Sequence, residues 1–299
     1  MYRTIVLPFD GSEQSTRALP YATALARAAG ARLILTYVLA PWELVLDVPA
    51  SLQATATELQ STGIDVITQI THRQGNLPGR AILDVARERN AGLIAIGTHA
   101  YGAVGRALFG SVADDVVRHA TVPVLICTSR VGRRWPVDRP RRILVPLDGS
   151  ALAETALAPA RQMAHQFGAS LDLVGVVDQT LVAVIDLDVQ IGDFLGMQRA
   201  ETWAYLEHIA DELRNDTLVV DVQALVGMPS DTIRQLSVDL DSDMIVMATH
   251  GRSGIARLLL GSVALRVLQH SGVPVLLVQP ASVAAERRAE APTLGKVVE

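Results

Sequence analysis

The sequence lacks four features that would each indicate a class of protein. It has one cysteine, Cys127, which excludes an intramolecular disulfide and a cysteine-based zinc cluster. Its apolar runs are shorter than the roughly 18 residues of a membrane-spanning helix, and its first residues lack the apolar region of a signal peptide. The net charge of −5 gives no basic footprint for nucleic acid. We therefore expect a cytoplasmic protein that binds neither nucleic acid nor membrane.

Aromatic residues are also scarce, at 4%, whereas apolar residues together make up 49% of the chain. The hydrophobic cores must therefore be built from Ala, Val, Leu and Ile, and this composition is typical of folded proteins. The length of 299 residues suits two domains of about 140 residues each.

The chain contains an internal duplication. The segment that ends in Asp10-Gly-Ser returns 138 positions later, where it ends in Asp148-Gly-Ser, and Gly110-Ser-Val returns 151 positions later at Gly261. The change of spacing means that the second copy has a net 13 extra residues, which lie between positions 173 and 249. We predict two tandem domains, with boundaries at residues 1–128 and 142–279, a linker at 129–141 and a tail at 280–299.

Each copy alternates predicted strands with predicted helices. In the first copy, an apolar strand over residues 3–9 precedes an alanine-rich helix over residues 13–29, which Gly30 ends. Strands that alternate with helices run parallel, and nearly continuous apolar strands indicate burial on both faces. The predicted fold class is α/β: two tandem open-sheet domains, each a five-stranded parallel sheet with helices on both faces.

Two segments fall outside this repeat. The linker is rich in Arg and Pro, and we favour a solvated connector with Trp135 packed down over the alternative of an anion-binding patch. The extra residues of the second copy lie within about positions 178–215 and include a predicted helix over residues 194–213. We expect its apolar stripe, which includes Leu195 and Trp203, to cover the sheet; a groove for a partner protein is the alternative.

An aspartate follows the first predicted strand of each copy, at Asp10 and Asp148. Ligands of open parallel sheets bind beyond the carboxyl ends of the strands. A carboxylate at that position can accept hydrogen bonds from ribose hydroxyls or from an adenine amine. The alternative is that each aspartate caps the helix that follows, and the sequence leaves both interpretations open.

The loop after the fourth predicted strand of each copy is a second candidate. It spans residues 97–111 and 248–262, is rich in glycine, and ends in Gly-Ser just before a predicted helix. Glycines let backbone N–H groups approach a phosphate closely, and the start of a helix attracts negative charge. Further donors to the same anion are Ser111, Ser262, Arg106, Arg252 and Arg257.

The strand-end aspartates and the glycine loops make both copies resemble universal stress protein domains, over nearly all of residues 3–279. The loop pattern of that family is Gly, two residues, Gly, nine residues, then Gly-Ser or Gly-Thr. The resemblance implies an adenine nucleotide α-hydrolase-like, Rossmann-type fold and the binding of ATP or AMP, with or without Mg²⁺. It also implies domain pairing through the fifth strands, here from Val122 to Cys127 and from Val273 to Val278, and a homodimer is a further option.

Neither copy has the complete loop pattern. Ala100 replaces the second glycine of the first copy, and Ala248 replaces the first glycine of the second copy. Position 100 lies inside the predicted phosphate loop, whereas position 248 lies where a strand ends. We therefore expect the second half to be the better nucleotide site and the first half to be a weakened one.

The residues expected around the nucleotide combine the aspartates, the loops and the neighbouring strand ends. In the first half they are Pro8, Asp10, Val38, Gly97, Thr98, His99, Arg106, Gly110, Ser111 and Val112. In the second half they are Asp148, Val176, Ala248, Thr249, His250, Gly251, Arg252, Ser253, Gly254, Gly261, Ser262 and Val263.

No catalytic residue and no metal site is predicted. A P-loop lysine is missing, since the only lysine is Lys296 near the end of the chain, and neither His99 nor His250 has a matched nucleophile or acidic partner nearby in sequence. The favoured function is a non-catalytic or very slow regulatory stress-response protein that binds adenine nucleotide. The alternatives are a tandem scaffold with degenerate sites, acting only through protein partners, and a slow ATP hydrolase.

Overall fold

A computed structural model describes residues 2–44, 48–72, 77–99, 110–132, 135, 139–180, 191–215, 217–249 and 260–279. The elements of the first half are β1 (Thr4–Pro8), α1 (Glu13–Arg17), α2 (Leu19–Ala29), β2 (Arg32–Leu39), α3 (Ala50–Ser61), β3 (Val66–His72), α4 (Pro78–Glu88), β4 (Leu93–Thr98), α5 (Ser111–His119) and β5 (Val124–Thr128). Those of the second half are β6 (Arg142–Pro146), α6 (Ala151–Glu154), α7 (Leu157–Phe167), β7 (Ser170–Asp178), α8 (Ile191–Arg214), β8 (Val220–Gly227), α9 (Pro229–Asp239), β9 (Met244–Ala248), α10 (Ser262–His270) and β10 (Val275–Val278).

The ten strands form one continuous sheet in the order β3-β2-β1-β4-β5-β10-β9-β6-β7-β8. The strands of each half run parallel to one another, and the order in the second half mirrors that in the first. β5 and β10 pair antiparallel at the centre, with Leu125 opposite Leu276. The predicted α/β class and the five parallel strands per half are confirmed, and the two halves share a single sheet.

Burial of the strands explains their apolar sequences. Ile5, Val6 and Leu7 of β1 are all fully buried, because helices cover both faces of the sheet and alternate side chains enter two different cores. Cys127 lies in β5 and is fully buried as well, and its burial raises the pKa of the thiol above the ordinary value. It belongs to the hydrophobic core.

The helix predicted over residues 13–29 is in fact two helices, α1 and α2, separated at Ala18. Pro20 explains the break, since proline has no N–H to donate and is tolerated in the first turn of a helix but not in its interior. The predicted end is correct: Gly30 adopts a left-handed conformation with φ 59° after α2.

Trp135 in the linker is buried and joins the two halves. Its indole N–H donates a hydrogen bond of 2.9 Å to the backbone oxygen of Asp243. Its ring packs edge-on against Tyr21 of α2, with the centroids 5.1 Å apart, and lies 6.5 Å from the ring of Phe167 in α7. At Trp135 the linker is therefore a packed connector.

Helix α8 contains most of the extra length of the second half. It has 24 residues, whereas α3, at the same place in the first half, has 12. Leu206, Ala210 and Leu213 are buried as Leu52 and Ala56 are in α3, so the additional turns are at the N-terminal end. The prediction that Trp203 belongs to the buried stripe is wrong: it is 49% exposed, because the ridge facing the sheet continues from Leu206 to Thr202.

Within the described ranges, no helix combines the length and the apolar character needed to cross a membrane.

Candidate functional site

A cavity of about 600 Å³ lies at the carboxyl ends of β6, β7 and β9 in the second half. Its walls are the Asp148-Gly149 turn after β6, the end of β7, the end of β9, the start of α10 and one side of α8. β6 lies between β9 and β7 in the sheet. The cavity is therefore at the position where open α/β sheets bind their ligands.

The Asp-Gly-Ser turns of the two halves have the same local geometry. Asp148 Oδ1 accepts hydrogen bonds from the N–H and the hydroxyl of Ser150, at 3.0 and 2.6 Å. The hydroxyl oxygen of Ser150 in turn accepts the N–H of Ala153 and caps α6. The helix cap is thus the serine, while the aspartate supports the turn and remains exposed at the cavity wall.

The first half repeats this arrangement. The N–H of Ser12 donates to Asp10 Oδ1 at 2.9 Å, and Ser12 caps α1 through the N–H of Ser15. Partial burial acts to raise the pKa of Asp10, but hydrogen bonds from Ser12 and Ser15 outweigh it and hold the pKa below its ordinary value. Asp10 is therefore ionised at neutral pH.

The helices that follow the glycine loops have no side-chain cap. Their N-cap residues are Gly110 for α5 and Gly261 for α10, neither of which can supply a side-chain hydrogen bond. Ser111 and Ser262 are the first residues of these helices and are exposed. The first N–H groups of a helix have no partner within it and carry partial positive charge, so the start of α10 offers donors to an anion at the cavity wall.

The two ends of the second-half glycine loop lie next to each other. The N–H of Gly261 donates a 2.8 Å hydrogen bond to the backbone oxygen of Thr249, which joins the end of β9 to the start of α10. In the first half, Gly110 lies beside Thr98 and has φ 98°, which favours glycine. Gly261 has φ −58°, a conformation open to other residues.

Gly97 has a packing role in the structure. A Cβ at this position would lie 1.8 Å from the backbone oxygen of Gln14, so only glycine allows β4 to approach α1 this closely. The backbone φ angle of Gly97 is not positive. The second half has Ala248 at this position, buried at 5% exposure, so the methyl group is accommodated. This replacement therefore changes strand–helix packing, and contacts of Gly97 or Ala248 with a ligand stay a prediction.

The structure brings most of the predicted second-half residues together. Those that line the cavity are Asp148, Val176, Ala248, Thr249, Gly261, Ser262 and Val263. In the first half, Pro8 is the last residue of β1 and Val38 the residue before the last of β2, and both are partly exposed. Thr98 is buried and His99 is exposed. The predicted residues outside the described part of the chain are Arg106, His250, Gly251, Arg252, Ser253, Gly254 and Arg257, together with the variant position Ala100.

Sequence reasoning missed the α8 side of the cavity, formed by Gln198, Glu201, Thr202 and Tyr205. The Tyr205 hydroxyl donates to Glu154 Oε1 at 2.9 Å and accepts a hydrogen bond from the N–H of Gly149. Burial, followed by the hydrogen bond to Glu154, raises the pKa of Tyr205 above its ordinary value. Tyr205 thus supports the turn that presents Asp148.

The sequence signal for this wall of the cavity was the 13-residue excess of the second copy. It locates the segment but not the direction of its side chains.

The fold and the cavity define a class: two open-sheet α/β domains in tandem, each with an aspartate after its first strand and a glycine-capped helix after its fourth. A sequence model of the Universal stress protein family matches residues 1–128 and 140–279. The chain belongs to the universal stress protein family.

Individual relatives agree with this assignment. A universal stress protein of Mycobacterium tuberculosis is 29% identical over 201 residues, which cover 67% of this chain and 65% of that protein. The chain thus spans a little less than two thirds of that relative. A universal stress protein of Mycolicibacterium smegmatis is 26% identical over 306 residues, covering 92% and 97% of the two chains. The structure of a universal stress protein from Archaeoglobus fulgidus shares the fold, with a TM-score of 0.67 and 21% identity over 93% of this chain and 98% of that one.

Proposed function

We propose that the second-half cavity binds an adenine nucleotide, ATP or AMP, and that the protein acts as a non-catalytic or very slow regulatory protein of the stress response. One observation carries the proposal: a cavity of about 600 Å³ has an exposed carboxylate, Asp148, on its wall and the uncapped start of α10 at another side. The carboxylate can accept hydrogen bonds from the sugar or the base, and the backbone N–H groups at the helix start can donate to phosphate. Both kinds of group therefore meet in one cavity.

The order of the strands suggests how the ligand lies. The start of α10 follows β9, Asp148 follows β6, and α8 packs on β7 and β8. Since β6 lies between β9 and β7, a nucleotide with its phosphates at Gly261 and Ser262 has its ribose near Asp148 and its base towards α8. This layout supports the assignment of the ribose hydroxyls to Asp148.

The second half remains the better candidate for occupancy. Its departure from the family pattern, Ala248, is a buried residue at the end of β9, beside the wall formed by Asp148 and the start of α10. The first half departs at Ala100, within the predicted phosphate loop. The resemblance to the family supports the same nucleotide class for both halves, with weaker binding in the first.

Regulation without fast turnover is supported by the chemistry of the lining. The Tyr205 hydroxyl is engaged with Glu154 and Gly149, and its raised pKa disfavours the phenolate that a general base would need. The hydroxyl of Tyr205 thus supports the turn at Gly149, a role in shaping a binding site rather than in proton transfer.

The pairing of β5 with β10 leads us to propose that the halves associate within one chain in solution, across the linker at 129–141. This pairing protects two apolar strand edges that would otherwise be open to aggregation. Light scattering of the dilute protein tests this proposal: a folded species of 32.0 kDa is expected, and complete absence of monomer would speak against pairing within one chain as the sole association.

Calorimetric titration with ATP of matched variants tests the nucleotide proposal. Asp148→Asn removes the charge beside the cavity, and Asp10→Asn makes the same change at the equivalent turn of the first half. We expect Asp148→Asn to lower the ATP affinity of the tighter site by about tenfold, because one charge-assisted hydrogen bond is lost. Asp10→Asn is expected to leave the affinity of that site unchanged. A wild-type protein that binds no adenine nucleotide at millimolar concentration would overturn the proposal and favour a scaffold.

A further inference from the structure

The first turns of α8 have no counterpart among the first-half residues that the structure describes. Tyr205 contacts the Gly149 turn much as Ser51, at the start of α3, contacts the Gly11 turn, where a Cβ would lie 2.6 Å from Ser51 Oγ. The two helices therefore coincide from these residues onward. We call residues 191–204, which precede Tyr205, the α8 extension.

The α8 extension is held against β7 by a glycine. A Cβ on Gly175 would lie 2.4 Å from Cγ2 of Thr202 and 3.2 Å from Cδ1 of Leu206, so a larger residue would displace these side chains or the helix that carries them. The first half has Tyr37 at the equivalent position, 138 residues earlier, and its side chain is buried. Space that Tyr37 occupies in the first half is thus given to a helix in the second half.

Three polar residues of the α8 extension line the cavity: Gln198, Glu201 and Thr202. The amide nitrogen of Gln198 donates to Glu201 Oε2 at 3.1 Å, and the hydroxyl of Thr202 donates to the backbone oxygen of Gln198 at 2.8 Å. Glu201 carries only acceptor oxygens, the Thr202 hydroxyl is engaged, and Gln198 adds the acceptor Oε1 beside its second amide N–H. This wall of the cavity therefore offers hydrogen-bond acceptors.

Asp178, at the end of β7, adds to the same character. It also lines the cavity, and its Oδ1 accepts the N–H and the hydroxyl of Thr180, at 2.9 and 2.7 Å. An acceptor-rich wall favours ligand edges that carry N–H groups, because an acceptor placed against an acceptor leaves both without a partner.

We propose that the α8 extension reads the base of the bound nucleotide, with Glu201 and Gln198 accepting the N–H groups of the 6-amino group of adenine. This inference rests on the proposed function, which places the phosphates at α10 and the base at α8. It assigns a specificity-determining role to a segment present only in the second half, and it makes the two halves differ in selectivity as well as in affinity.

The test compares ATP with the triphosphate of purine riboside, which differs from ATP only in lacking the 6-amino group. For the wild-type protein we expect ATP to bind about tenfold more tightly, the value of a hydrogen bond to a charged group. In Glu201→Ala the preference is expected to fall to about threefold or less, mainly through weaker ATP binding. Gln198→Ala is expected to reduce the preference in the same direction.

The matched control is Glu212→Ala on the same helix. Glu212 is exposed, lies 3.8 Å from His208 and does not line the cavity, so its removal should leave both affinities and their ratio unchanged. Circular dichroism and thermal unfolding verify that each variant folds; exposed alanine substitutions in a helix are well tolerated.

The possible failures are distinguishable. If the wild-type protein binds neither compound, the proposed function fails and this inference fails with it. If it binds both equally, or if Glu201→Ala and Gln198→Ala leave the ratio unchanged, nucleotide binding stands and the role of the α8 extension is overturned. An equal loss of affinity for both compounds in Glu201→Ala also contradicts the inference, since it indicates a general effect on the cavity.

Discussion

The side-chain amide of Gln279, just after the last strand, donates a hydrogen bond of 2.7 Å to the backbone carbonyl of Val117 in α5. The oxygen of the same amide accepts the hydroxyl of Thr249 at 3.2 Å, and all of this lies in a buried environment. Thr249 lines the second-half cavity, while α5 begins at the glycine loop of the first half. One side chain therefore connects the two candidate nucleotide regions across the central strand pair.

Replacement of Gln279 by Leu should destabilise the protein. Leucine has a similar size but leaves the Val117 carbonyl, one of the last carbonyls of α5, without the donor that it has in Gln279, and it removes the oxygen that accepts the Thr249 hydroxyl. We expect a loss of about 1–3 kcal/mol in the free energy of unfolding, measured by urea denaturation. Gln235→Leu, on the exposed face of α9, is the control, and equal effects of the two changes would contradict the role assigned to Gln279.

The first position of the glycine pattern provides a reciprocal pair of variants. Gly97→Ala forces a methyl group towards the Gln14 backbone oxygen, only 1.8 Å from the ideal Cβ position, and should cost about 1–3 kcal/mol through overpacking. Ala248→Gly removes a methyl group from a strand and should cost about 0.5–1 kcal/mol.

Thermal unfolding measures both changes, and ATP titration provides a second readout. Both substitutions change packing. The ATP affinity of the second-half site in Ala248→Gly should therefore stay within about threefold of the wild-type value, well under the tenfold effect of a lost charged contact. A large gain in affinity on restoring glycine at position 248 would instead assign that position to the phosphates.

Acid pH should weaken the support that Asp10 gives to its turn. The folded-state pKa of Asp10 is lowered relative to the unfolded chain, so its contribution to stability is fully present above the unfolded pKa. It is lost as the pH falls through the lower, folded-state pKa. The stability advantage of the wild-type protein over Asp10→Asn should therefore be constant near neutrality and shrink in the acid range. Thermal unfolding of both proteins at a series of pH values measures it, and an advantage that grows on acidification would disprove the assignment.

Local sequence signals predicted much of this protein. The apolar strands and Gly30 at the end of α2 are signals that act over a few residues, and each was interpretable from neighbouring residues alone. The duplication then extended one interpretation to both halves. The repeated strand order of the sheet confirms the duplication, and the family model matches both halves.

Contacts between distant residues were not predictable in this way. The extra residues of the second half were recognised as a helix, but their apolar pattern could not show that Gln198 and Glu201 face a cavity. Gly97 looked like a loop glycine, because its neighbour Gln14 is 83 positions away in sequence. The break between α1 and α2 depends on Pro20, whose effect the alanine-rich helix pattern concealed.

From its sequence alone, then, the protein is a duplicated α/β chain with an aspartate and a glycine loop in each copy, since strand and helix formation follow from the periodicity of nearby side chains. The tertiary structure alone decided what surrounds those groups: which helix closes the cavity, which glycine serves packing, and which side chain joins the halves. These outcomes depend on how closely two backbones approach, as at Gly175 and Thr202, and that distance is set by the packing of segments far apart in the chain.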